Sequence, residues 1–135
     1  MSRIFLKDVY YHQNKEIKEY IDIFLETDIG ILQVYGVGFD FVNKDVLQAT
    51  TRLYELDKLR EKYGRFYIDE VRATYDSNLY ILISGKFILA IEYILNSTFE
   101  HSLQQIRIIE DIYALNKTEF DDFKELDIVK LPELQ

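Results

Sequence analysis

Apolar and polar residues alternate in two different rhythms along this chain, and the rhythm changes several times. From Asn14 the spacing is helical: Ile17, Tyr20, Ile21, Phe24 and Leu25 fall at i, i+3, i+4, i+7 and i+8, one face of an amphipathic helix. Lys15, Lys18, Glu19, Asp22 and Glu26 take the opposite face, and Asp28 and Gly30 end the pattern. A second helical seam runs through Val46, Ala49, Leu53, Leu56 and Tyr63, opened by Asp45 with Gln48 as a capping box and closed by Gly64. Its outer face carries Glu55, Lys58, Glu61, Lys62 and Arg65, with Glu61 and Arg65 at i, i+4. A third helix is predicted over 98–115, opened by Ser97 and Glu100. Phe99, Leu103, Ile106, Ile109 and Tyr113 form one face, and Ile108, Ile112 and Leu115 a second, nearly opposite one.

Between these segments the period is that of strands. Residues 3–10, RIFLKDVY, read as a strand more than as a helix. Residues 31–42 are apolar and carry no helical stripe. Tyr67, Val71, Ala73 and Tyr75 alternate with more polar neighbours, and Asp76-Ser77-Asn78 marks a turn. LYILIS and FILAIEYIL flank Gly85-Lys86, which suits a type II′ hairpin. The second of these strands is apolar on both faces except at Glu92, the pattern of a central strand covered on both sides. The fold class expected is α+β: a single domain with a mainly antiparallel sheet of about four to six strands and three main helices, in the order β-α-β-α-β-β-β-α. The segment 118–135 is expected to pack on helix 98–115 through Phe120, Phe123, Leu126, Val129 and Leu131.

The stretch YGVGFDFVNK, residues 35–44, holds a G-x-G. A dinucleotide fingerprint needs a third glycine where Phe41 stands, and a helix opening directly from the loop. Gly36 and Gly38 are therefore read as a kink or tight hairpin at 35–38, without an anion. Gly85-Lys86 fails as a P-loop ending, because Tyr80 and Phe87 occupy positions that need Gly and Ser or Thr.

Other chemistry fares no better. There is no cysteine, which removes disulfides, thiolate zinc sites and cysteine nucleophiles. His12 and His101 are the only histidines, and neither adjoins a nucleophile elbow. Asp69 and Glu70 are adjacent and point to opposite faces of a strand. Glu92, inside an apolar run, would act as a general acid or base if buried alone. Pairing with Arg72 or another base on the sheet, or a strand end reaching solvent, is the plainer role. No cofactor and no metal are expected, and Arg52, Lys58, Arg60, Lys62 and Arg65, interspersed with Glu55, Asp57 and Glu61, read as a salt-paired face rather than a nucleic-acid patch.

What remains is charge and aromatic content. The net charge is −8, and residues 91–135 hold ten acids against four bases. The 11 tyrosines supply contact surface as well as core. Together they point to a small acidic, non-catalytic protein, of the immunity-protein or phage-encoded inhibitor type. It would occlude a protein partner with a basic surface, such as a toxin or nucleic-acid-handling enzyme. Asp111, Glu119, Asp121, Asp122, Glu125, Ile108, Ile112 and Tyr113 are the expected partner-binding residues. The second face of helix three raises a homodimeric assembly subunit as an alternative, and a site of dispersed acids an enzyme as a third. No signal peptide is seen at MSRIFLKDVYYHQ, and the apolar stretch 79–95 carries Lys86 and Glu92. A cytoplasmic protein without membrane or direct nucleic-acid binding is expected.

Overall fold

A computed structural model describes residues 4–13, 21–35, 38–53, 55–73, 79–83, 87–95, 101–109, 125–130 and 132. One antiparallel sheet dominates. Its strands are β1 (Ile4–Gln13), β2 (Ile21–Thr27), β3 (Gly30–Tyr35), β4 (Gly38–Val42), β5 (Thr51–Arg52), β6 (Phe66–Ala73), β7 (Leu79–Ile83), β8 (Phe87–Leu95), β9 (His101–Ile109) and β10 (Asp127–Ile128). The main path runs β4-β3-β2-β1-β6-β7-β8-β9, with β5 on β1 and β10 on β6. A 3-10 helix (Lys44–Ala49) and one α-helix, α1 (Glu55–Tyr63), are the helical elements among the described residues.

Three main helices are therefore not what forms. The described part of helix one is strand β2, and the core of helix three is strand β9. In β2 the alternation was masked by Phe24. It lies on the face opposite Ile23 and Leu25, yet all three are buried. Burial on both faces adds an apolar residue at the position where a helix would also want one. Helix two is broken in the middle. Asn43, not Asp45, caps the 3-10 turn, its Oδ1 accepting the Asp45 N–H at 2.9 Å. The β-branched pair Thr50 and Thr51 then leaves the helix for strand β5. Only the final piece is α-helical, and Gly64 closes it as expected, with φ +77 and its N–H on the Arg60 carbonyl at 2.9 Å.

Other expectations hold. Gly38 pairs with Tyr35, so β3 and β4 form a hairpin, with residues 36 and 37 outside the described set. β7 and β8 form the expected hairpin, with residues 84–86 outside the described set. β8 is interior, between β7 and β9, and Leu89 and Ile91 on one face and Ile88 and Ala90 on the other are all buried. Asp28 and Ile29 make the turn between β2 and β3, and Thr27 Oγ1 donates to the Gly30 carbonyl at 2.7 Å.

β1 and β6 join the two halves of the sheet over three pairs only: Ile4–Ile68, Phe5–Tyr67 and Leu6–Phe66. At either end of this seam one strand bulges. Leu6 and Asp8 oppose consecutive residues of β2, leaving Lys7 extra, and Ile68 and Glu70 oppose consecutive residues of β7, leaving Asp69 extra. Each bulge bends its strand. Past the bends β1 goes on to pair with β5 at Tyr10–Arg52, and β6 with β10 at Ala73–Asp127. The facing of the strands survives the bends: Ile4, Leu6 and Val9 from β1 and Phe66, Ile68, Val71 and Ala73 from β6 all enter one core. Leu53, Leu56 and Val129 fill the space between the diverging strands. Leu53 donates its N–H to the Val9 carbonyl at 3.0 Å and Val129 to Val71 at 2.8 Å. Folding brings β9 close to β2, so the two halves enclose the core between them.

Candidate functional site

The bulge at Lys7 sets the position of Asp8, the next residue. Its side chain is only 10% exposed. A carboxylate held so deep must be paired, and it is paired twice: Oδ1 accepts Arg52 Nε and Arg60 Nη2, both at 3.1 Å. Asp57, more open to solvent, receives the same two guanidinium groups through Oδ1, at 2.5 Å each. Two acids and two bases thus cancel. They fasten β1, β5 and α1 together where β1 leaves the seam, and neither arginine faces outward as an unengaged anion receptor. The expected salt-paired face is what Arg52 and Arg60 form, with Asp57 one of its partners. Arg65, beyond Gly64, places its guanidinium 5.6 Å from the centre of the Phe5 ring.

Tyr10 stands beside this cluster, in register with Arg52 on one side and Phe24 on the other. Burial raises its pKa above the usual 10, and the negative charges of Glu26 and Asp8 raise it further, against the opposing pull of Arg52 and Arg60. Partial burial would lower the Arg52 pKa, but Asp8, Asp57 and Tyr10 outweigh it and the net shift is upward. The fold therefore prefers the neutral phenol. The stability this confers is complete below the unfolded pKa of about 10 and is lost as pH rises through the higher folded value. Tyr10→Phe is expected to make the alkaline fall in stability shallower, in urea unfolding compared at about pH 8 and about pH 11. An unchanged slope would show that Tyr10 does not titrate in that window.

A second feature lies at the other end of the sheet. β4 pairs with β3, and among the described residues its outer edge pairs with nothing. Phe39 and Phe41 share the core-side face of this strand, opposite Val34 and Leu32. Their rings meet edge to face at 5.5 Å. Phe39 packs on the core, whereas Phe41 is 55% exposed. Its ring lies against Gly30, which has φ +133 and where an added Cβ would stand 3.2 Å from Phe41 Cδ1, so a side chain at Gly30 would be strained and would crowd the ring. Asp40, between the two rings, projects to the opposite face and is exposed.

The expected partner-binding residues are not brought together by the described structure. Asp111, Ile112, Tyr113, Glu119, Asp121 and Asp122 lie outside the described residues. Glu125 is exposed just before β10. Ile108 sits in β9 in register with the buried Leu89. The helical wheel that gave helix three a second apolar face no longer applies, and the homodimer alternative loses its starting observation. Glu92 pairs through its backbone with Gln105 in interior strand β8, and its side chain lies outside the described set. Arg72, its suggested partner, is paired with Glu70 and donates Nη1 to the Leu126 carbonyl at 3.3 Å. His12 Nδ1 is 3.5 Å from Asp22 Oδ2. Among the described residues no group of three or more His, Asp or Glu could hold a metal ion, and no helix is long and apolar enough to cross a membrane. Sequence reasoning missed Asp8 and Phe41. The signal for Phe41 was already in the quoted stretch: a phenylalanine following an acid in a short strand bounded by glycine and asparagine.

No family model, no curated protein and no solved structure matches this chain.

Proposed function

We propose that this chain is a small acidic, non-catalytic interaction protein of the cytoplasm that binds a protein partner and inhibits or regulates it by occlusion, in the manner of an immunity protein or a phage-encoded inhibitor. The observation that carries the reading is the charge distribution: a net charge of −8, with ten acids against four bases in residues 91–135. Such a charge favours basic partners and disfavours phosphate backbones. The pairing of Arg52 and Arg60 with Asp8 and Asp57 removes two bases and two acids together, so the charge of −8 is carried by the other residues.

The test is retention of a specific partner from lysate on the immobilised chain across a salt series. Screening shortens the reach of charge from about 10 Å at 0.1 M to about 3 Å at 1 M, so retention is expected to fall steeply over that range. Absence of any specific partner, or retention unaffected by salt, would defeat the electrostatic mechanism.

A further inference from the structure

We infer that the outer edge of β4 is a docking edge for an extended, basic segment of a protein partner, added to the sheet as a further strand. The inference rests on the proposed function and gives it a place and a chemistry. An open strand edge offers unpaired N–H and C=O groups to an incoming chain, and main-chain pairing there supplies affinity while alternate side chains supply specificity. Among the described residues nothing pairs with this edge, and β4 carries no proline and no lysine at its centre to blunt it. Its exposed residues are Asp40 and Phe41.

The period of two decides what fits. On one face the incoming strand meets Phe39 and Phe41, so its residues there are apolar or aromatic. Phe41 is already oriented by Gly30 and Phe39, so little ordering is needed for it to act as an anchor. On the other face the cross-strand neighbour is Asp40, which favours lysine or arginine directly opposite. The segment recognised is therefore apolar, basic, apolar in alternation. The same geometry argues against a second copy of this chain. An antiparallel two-fold pairing centred on Gly38–Val42 sets Asp40 against Asp40, and like charges directly opposite destabilise a pair.

The test uses a fluorescent peptide of alternating valine and lysine, followed by anisotropy against the full chain. Its controls are a peptide of the same composition with valines and lysines in separate blocks, and an alternating peptide N-methylated on its pairing amides. Saturable binding of the alternating peptide is expected, about tenfold or more tighter than the block peptide and lost on N-methylation. Phe41→Ala is expected to weaken it about tenfold, and Asp40→Asn several-fold. Both residues are exposed, and unchanged circular dichroism confirms that the variants fold. Equal binding of the block or N-methylated peptide overturns the inference, as does indifference to Phe41→Ala. Concentration-dependent dimers in sedimentation that Phe41→Ala abolishes would overturn it in favour of a second copy. A lysate partner kept equally well by the Asp40→Asn, Phe41→Ala double variant refutes the edge but leaves the proposed function standing. Failure to retain any partner defeats that function, and the peptide series then decides the edge alone.

Discussion

Asp8→Ala is expected to lower the free energy of unfolding by about 3 kcal/mol, measured by urea denaturation. Removing one member of a buried ion pair typically costs about 3–5 kcal/mol, because the remaining charge loses its partner in a poorly solvated place. The lower end applies here. Asp8 is 10% exposed and Arg60 24%, but Arg52 is 37% exposed and recovers part of its solvation from water. Asp57 engages the same two arginines, yet it is 45% exposed. Asp57→Ala is therefore expected to cost under about 1 kcal/mol. The contrast is the diagnostic. Equal, small costs for the two substitutions would mean that the cluster is a surface network with no buried member.

Deleting Lys7 is expected to cost about 3 kcal/mol or more, whereas Lys7→Ala stays within about 0.5 kcal/mol. The side chain of Lys7 is exposed, and its loss removes little. The residue matters as an extra unit of backbone. Without it, Leu6 and Asp8 would still oppose Thr27 and Glu26, so the alternation of inward and outward residues would persist. What would vanish is the bend. A straightened β1 would run on beside β6 instead of crossing to β5. That would pull Val9 from the Leu53 N–H and Asp8 from both arginines. Urea unfolding of the two variants side by side decides the matter, and a deletion as mild as the alanine substitution would show that the bend has another origin.

The bulges also explain how much of the fold was legible. All three among the described strands fall on the same four-residue pattern, apolar-polar-polar-apolar: Leu6-Lys7-Asp8-Val9, Ile68-Asp69-Glu70-Val71 and Leu103-Gln104-Gln105-Ile106. In β1 and β6 the next core residue after the bulge comes three positions later rather than two, which is also the spacing of a helix. That is why residues 3–10 were ambiguous and why β9 read as a helix, with Leu103 and Ile106 on one of its faces. Where strands are regular, as in the hairpins at 35–38 and around residue 85, alternation and turn residues were enough. The candidate site was half legible. The pairing of Arg52 and Arg60 followed from interspersed charges. The burial of Asp8 did not, because nothing local tells a bulge acid from an exposed one. The edge position of β4 among the described strands depends on strand order, which no local pattern encodes.

The brief seam between β1 and β6 has a consequence for how the chain is wired. β1 to β4 run as neighbours in chain order, and so do β6 to β9. Each half is a meander whose ladders close short loops. The longest closure in the main path of the sheet is the joining of Ile4–Leu6 to Phe66–Ile68, with β5 and β10 pairing beside it. Within each half strand pairing joins chain neighbours, whereas the seam joins segments far apart in sequence, the kind of non-local contact that slows the assembly of β-structure.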